Sequence, residues 1–169
     1  LQARGTISQI VTTREPGGTA LGRQIRSLLL HQPLLSKDGG EHSGDEGDSD
    51  ERDEVMADAT ELLLYAADRA QHVSHYLMPQ LAKGALILCD RFTDSTVAYQ
   101  GYGRGLDLGL IHQLNTIATQ GLVPDLTLWL DVPVDIGLAR AQQRSTADRM
   151  EQNQQDFHHR VRQGFQALA

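Results

Sequence analysis

The chain has 169 residues, 40% of them hydrophobic, which is enough for one domain with its own core. No apolar run approaches the ~20 residues that cross a bilayer, and Cys89 is the only cysteine, so a membrane span and an internal disulfide are both excluded and a reducing cytoplasm is expected. The net charge of -7 is local, because residues 38–54 hold nine of the 22 acidic residues and one of the 15 basic ones, leaving 13 acidic against 14 basic elsewhere. Thirteen of the basic residues are arginine, whose planar fork suits phosphate and base edges; a small anionic ligand fits this bias, and no nucleic acid or membrane partner is expected. The opening "LQARG" has neither an initiator Met nor a charged leader, so the chain is expected to be a stretch of a longer protein.

"TISQIVTTREPGGT" predicts a β-branched strand over about Ile7–Thr12, then a turn at Pro16-Gly17-Gly18. "ALGRQIRSLLL" has Leu21, Ile25 and Leu28 at helical spacing. The acidic stretch 36–54 has no periodicity and almost no apolar residue, and is expected to be a disordered insert. Residues 57–81 form a long helical pattern with Leu62, Ala66, Ala70 and Val73 along one side, and Pro79 and Gly84 mark its fraying end. "ALILC" is expected to be a central parallel strand buried on both faces. A short helix over 95–100 follows, capped by Asp94 or Ser95. "LGLIHQLNTIATQG" is a further helix ending at Gly121, "DLTLWLDV" the next core strand, "PVDIGLARAQQR" a helix with Pro133 near its start, and 151–169 a final helix. Alternation of this kind predicts an α/β fold, a parallel sheet with helices on both faces, spanning 1–169 as one domain. In such sheets ligands bind beyond the carboxyl ends of the strands, and there lie Arg14-Glu15, Asp90-Arg91 and Asp131.

Four stretches carry chemistry. "TREPGGT" puts Arg14 and Glu15 at a strand end before a glycine turn that can present N–H groups to an anion, although Pro-Gly-Gly is also an ordinary turn. "LLLYAADRAQ" places Tyr65 and Arg69 on one helix face, where a ring can stack on a base and a guanidinium can bond its edge; a surface packing pair has the same spacing. Asp90-Arg91 ends an apolar strand, where a carboxylate can reach Mg²⁺ directly or through water and an arginine can neutralise phosphate; a plain ion pair is the alternative. Thr96 and Gln100 follow, four residues apart, and an amide plus a hydroxyl can match the donors and acceptors of a pyrimidine edge. "LARAQQRSTADRME" carries Arg140, Arg144 and Arg149 around a Ser-Thr-Ala-Asp loop, which suits a lid over phosphates and equally a solvated basic helix end. The acidic stretch lacks the glycine and terminal Glu of a calcium loop, and no histidine spacing marks a metal site.

Taken together, "TREPGGT", "LLLYAADR", "CDRFTDSTVAYQGYGRG", "GLVPDLTLWLDV" and "DRME" resemble bacterial thymidylate kinase in order and spacing over nearly the whole chain, the acidic insert apart. The resemblance implies a P-loop NTPase-like three-layer α/β/α fold, ATP as donor, Mg²⁺, dTMP as acceptor, dTDP as product, a place in dTTP biosynthesis, and a homodimer. By it, Tyr65 stacks on thymine, Arg69, Gln100 and Thr96 meet the base edge, and Arg26 and Arg91 hold the dTMP phosphate. Glu15 lies near the acceptor phosphate and sugar, and Asp90 near Mg²⁺, directly or through water. Arg140, Arg144 and Arg149 fall in the ATP lid, about 141–151; Arg91, Asp90, Arg149 and Arg144 are the residues expected to carry catalysis.

The chain departs from the family at both ends. No G-x-x-x-x-G-K-[ST] loop occurs, "LQARG" resembles the end of the helix that follows that loop, and the family's closing strand and helix are not in the sequence. A thymidylate kinase is therefore expected, with this stretch alone inactive. The alternatives are a dTMP-binding module without catalysis and a kinase for another nucleoside monophosphate. The acidic insert is expected to be a tolerated surface loop, since lengthening a loop costs little entropy.

Overall fold

The computed structural model describes residues 9–30, 55–144, 148–151 and 153–169. The expected acidic insert 36–54, the middle of the lid segment and the Arg144 side chain lie outside the described residues. Strand β1 spans Gln9–Arg14 and β2 spans Ala85–Asp90. They pair in parallel, from Gln9 opposite Ala85 to Arg14 opposite Asp90, and Glu15 N–H extends the ladder by donating to Asp90 O at 3.0 Å. Helix α1 spans Ala20–Leu30 and α2 spans Asp58–His72. A π-helical turn over Val73–Leu77 joins α2 to α3, Met78–Ala82. Pro79, expected at a fraying end, lies inside α3 instead: it has no N–H to donate, and the chain widens into the π turn just before it.

After β2, α4 (Thr93–Thr96) runs directly into a second π-helical segment, Val97–Gly103. This helix starts earlier and ends later than the expected 95–100, and neither Asp94 nor Ser95 caps it: Phe92 holds the cap position without a side-chain bond. Helix α5, Leu108–Thr119, has the cap that the sequence reading missed, Asp107, whose carboxylate accepts from Leu110 N–H at 2.7 Å. It stops at Gln120, which is left-handed, as is Gly121 after it. Helix α6 spans Val134–Arg144 and α7 spans Gln155–Leu168, four residues shorter at its start than the sequence pattern suggests.

The largest correction concerns the third strand. Residues 125–132 form no regular element and pair with no strand among the described residues, and the sheet there has two strands. The segment is held to α7 instead: Arg162 donates twice to Asp131, at 2.7 and 2.6 Å, and Trp129 stacks on Phe165 at 6.4 Å. Leu126, Leu128 and Leu130 consequently stay exposed. The burial of "ALILC" on both faces also fails among the described residues. Its Ala85, Ile87 and Cys89 side is covered, while Leu86 and Leu88 are exposed beside Ile10 of β1. The helices described here cover one face of the pair, so the period-2 alternation has only one dry side to satisfy.

The apolar core lies around the segment 97–103. Ala98, Met150, Phe157 and Val161 form one cluster; Leu62, Val97 and Ile111 form a second. Segment 97–103 thus wedges between α7 on one side and α2 and α5 on the other, and Gly164 lets α7 approach it. A Cβ at Gly164 would sit 2.9 Å from the Ala98 Cα and 2.9 Å from the Tyr102 ring. Backbone cannot yield as a side-chain tip can, so Gly164→Val is expected to lower the unfolding free energy by about 2 kcal/mol or more in urea titrations followed by circular dichroism. A change under about 0.5 kcal/mol would contradict this packing.

Candidate active site

Five residues of α2 share one helical face at i, i+4, i+7, i+8 and i+11: Glu61, Tyr65, Asp68, Arg69 and His72. Four of them are buried, and Tyr65 is half-buried. A helix that turns charged groups inward must provide partners for each, since an unpaired buried charge is costly. The partners come from the elements on which the sequence reading had placed its candidates.

Arg69 is 2% exposed and lies at the centre. Its Nε donates to Glu15 at 2.8 Å, its Nη1 to Thr96 Oγ1 at 2.9 Å and to Asn115 Oδ1 at 2.7 Å, and its Nη2 to Phe92 O at 3.0 Å. It also lies over the Phe92 ring, 5.4 Å from the centroid. Glu15 is buried after the β1 end, and its second oxygen accepts from His72 Nδ1 at 2.9 Å. The far nitrogen of His72 meets Thr13 Oγ1 at 2.8 Å, which fastens α2 to β1. Asp68 accepts from Gly17 N–H at 3.0 Å, while its Oδ2 has no partner among the described residues. Burial, opposed by that N–H and reinforced by Glu15, pushes its carboxyl up to about 6.

A second centre forms on Glu61, which is fully buried. Its Oε1 accepts from Gln100 Nε2 at 2.8 Å; its Oε2 accepts from Arg104 Nη2 at 3.1 Å and from Arg149 Nη2 at 2.5 Å. Burial pulls the Glu61 carboxyl upward, but the bonds from Arg104 and Gln100 and the charge of Arg149 outweigh it, and its pKa lies below the usual value. "DRME" is a closed turn here: Asp148 Oδ1 accepts from Met150 and Glu151 N–H, both at 2.9 Å, and aims Arg149 at Glu61.

Above these centres lies a cavity of about 400 Å³. Glu15, Arg26, Tyr65, Arg69, Arg91, Thr96 and Gln100 all line it, so every expected acceptor-site residue is brought to one place. Trp129, Val134 and Leu138 add apolar wall, and Tyr99 another. Arg26 is held by Pro16 O at 3.0 Å. Tyr65 remains a neutral phenol, since burial and the Glu61 charge push it up to about 12. Arg91 is left-handed at φ 69, a conformation that costs about 1–3 kcal/mol in a non-glycine residue and marks functional sites. Its guanidinium lies 5.1 Å above the Tyr99 ring, and no described carboxylate forms an ion pair with it, so the Asp90-Arg91 ion pair is not what the dipeptide makes.

Three expected residues stand elsewhere. Asp90 is exposed and faces a separate hollow with Thr12, Thr13 and Arg14. Arg140 is exposed on α6, off the cavity lining. Arg149, expected in the lid, is engaged by Glu61 and by Leu29 O, to which its Nε donates at 2.7 Å. The sequence reading missed Glu61, Asp68, His72 and Asn115; the helical spacing of polar residues on α2 was the available signal for the first three. Among the described residues no cluster of three or more His, Cys, Asp or Glu side chains could hold a metal, and no helix is long and apolar enough to cross a membrane.

A pocket of apolar wall, arginines and an amide beyond the carboxyl ends of parallel strands is the arrangement of a nucleotide-binding α/β protein. Comparison with known proteins narrows the class. The thymidylate kinase family model matches residues 48–169. The chain is 57% identical to a thymidylate kinase of Acaryochloris marina, over 98% of this chain and 67% of that protein. It is 54% identical to one of Trichodesmium erythraeum, over 95% of this chain and 64% of that protein. A crystal structure of thymidylate kinase from Ehrlichia chaffeensis superposes with a TM-score of 0.64 at 34% identity, covering 95% of this chain and 67% of that one. The chain belongs to the thymidylate kinase family, and its fold is the α/β fold of that family. It spans about two thirds of the length of the relatives it matches.

The raised Asp68 carboxyl gives a stability test. A carboxyl whose folded pKa exceeds its unfolded value contributes most below the unfolded pKa, and the contribution is lost as pH rises through the folded one. For Asp68 that window runs from 3.8 to about 6. Asp68→Asn removes the titration. The stability of the wild type relative to this variant is expected to fall by on the order of 2 kcal/mol between about pH 4 and pH 7 in denaturant titrations. A constant difference across that range would contradict the assignment.

Proposed function

We propose that the protein transfers the terminal phosphoryl group of ATP to dTMP, giving ADP and dTDP. The observation that carries this reading is the single cavity on which Tyr65, Arg69, Thr96, Gln100, Arg26 and Arg91 converge. The ring, the amide and the hydroxyl suit a pyrimidine, and the two arginines suit a monophosphate. Family membership supports the choice of thymine and of ATP as donor.

Phosphoryl transfer asks for in-line placement and positive charge where the phosphoryl oxygens gather density. In this reading Tyr65 and the base-edge groups fix the nucleoside, Arg26 and Arg91 hold its phosphate, and Glu15 keeps Arg69 oriented while facing the sugar side. Arg91 serves at the reacting end, and its left-handed backbone holds it over the pocket beside Tyr99. Arg140 and Arg144 are the proposed donor-side cations. Arg149 acts from Glu61 as an anchor for the lid segment and not as a free cation. Mg²⁺ is proposed to meet Asp90, whose exposed carboxylate fits the one-carboxylate mode of binding in which phosphates and water complete the shell. When bound, the ion would neutralise charge on the phosphate oxygens. A cytoplasmic homodimer is proposed from the family resemblance.

Arg91→Ala in the full-length protein is expected to lower kcat by ~100-fold or more with ATP and dTMP, with a smaller rise in KM. Turnover within about twofold of the wild type would contradict the role given to Arg91.

A further inference from the structure

We infer that Glu61 sets the base specificity of the pocket by fixing which end of the Gln100 amide faces the ligand. The inference rests on the dTMP reading above and goes beyond it to a residue that does not line the cavity. Gln100 is 1% exposed, and it lines the cavity while Glu61 does not. Its Nε2 donates to Glu61 Oε1 at 2.8 Å, so the amide NH₂ points away from the pocket. An ionised carboxylate only accepts, and the depressed Glu61 pKa keeps it ionised at neutral pH; the flipped amide would set two oxygens against each other. Gln100 Oε1, to which no group donates among the described residues, is the end left for the ligand.

The neighbouring groups complete a pattern. Thr96 Oγ1 already accepts from Arg69, so its own hydrogen is free to donate. Arg69 has spent its Nε, both Nη1 hydrogens and one on Nη2, which leaves a single N–H. Gln100, Thr96 and Arg69 together therefore present one acceptor beside donors. A thymine or uracil imide, a donor N3–H flanked by carbonyls, is complementary to it. Cytosine, with an acceptor at N3 and an amine at C4, meets the wrong sense at both positions. Glu61 is thus a positioning residue: it acts through Gln100, and the Arg149 bond holds it in place.

Glu61→Gln tests this in the full-length protein, because a glutamine can donate to Gln100 and release the flip. Binding of dTMP, dUMP and dCMP is measured by calorimetry, which requires no turnover. The wild type is expected to prefer dTMP and dUMP over dCMP by ~100-fold or more, and Glu61→Gln to reduce that preference by about tenfold or more. Arg104→Ala serves as control: it removes another partner of the same carboxylate and is expected to lower Tm while keeping the preference. The effect is also expected to vanish in a Gln100→Ala background, where Glu61→Gln changes the preference by less than about twofold. Glu61→Gln with an unchanged preference, an equal loss of preference in Arg104→Ala, or an undiminished effect in the Gln100→Ala background would each overturn the inference while dTMP binding stands. If Glu61→Gln does not fold, the wild type crystallised with dTMP decides. Gln100 bonded at once to Glu61 and to N3 of the base supports the inference; Gln100 turned off Glu61 to reach the base overturns it. A wild type that binds dTMP and dCMP equally overturns it as well. One that binds no pyrimidine monophosphate overturns the functional reading and this inference together.

Discussion

A guanidinium that is 2% exposed has to find a partner for nearly every N–H it carries, and Arg69 meets that demand from four separate pieces of chain. Glu15 comes from the end of β1, Phe92 O from the turn after β2, Thr96 from α4 and Asn115 from α5. None of these pieces is adjacent to α2 in sequence. A charge buried on α2 therefore fixes where the strand tips and two helices stand relative to one another, and the wall of the cavity follows from that placement. Lysine could not substitute, having three donors on one nitrogen and no planar fork.

Glu61 is the counterpart one step up the same helix face. Where Arg69 gathers acceptors, Glu61 gathers donors from Gln100 of segment 97–103, from Arg104 just after it and from the turn at 148–151. The two centres lie eight residues apart on α2, and each holds one cavity-lining polar side chain, Arg69 holding Thr96 and Glu61 holding Gln100. Buried ion pairs add little net stability on average, since desolvation offsets their attraction. What they supply here is orientation: each polar side chain in the cavity has one end already committed, so the end left for a ligand is determined.

The acceptor side of the site was legible in the sequence because motif residues there sit on regular elements at helical or strand-end spacing. Tyr65 with Arg69, and Thr96 with Gln100, are i, i+4 pairs, and each pair reaches the cavity. What escaped were residues whose role is to hold others. Glu61 looks like a solvated charge between Thr60 and a run of leucines, and only the polar stripe it shares with Asp68 and His72 marks it as inward-facing. The fold was legible in its helices and its first two strands. It was less so in "DLTLWLDV", whose apolar content says strand but cannot supply a neighbour to pair with; the ladder needs a second chain segment, and Arg162 and Phe165 hold this one instead. The donor side, with Arg140 exposed and Arg149 committed to Glu61, was placed by motif order alone, and order does not say which arginine is free.

The central claim is that the Arg69 guanidinium organises the pocket that takes dTMP. Calorimetric binding of dTMP to Arg69→Lys, on protein confirmed as folded by circular dichroism, tests it most directly. The claim requires affinity to fall by ~100-fold or more, because one ammonium cannot hold Glu15, Thr96, Asn115 and the Phe92 carbonyl together. Affinity within about threefold of the wild type would show that the pocket stands without that guanidinium, and would contradict the account.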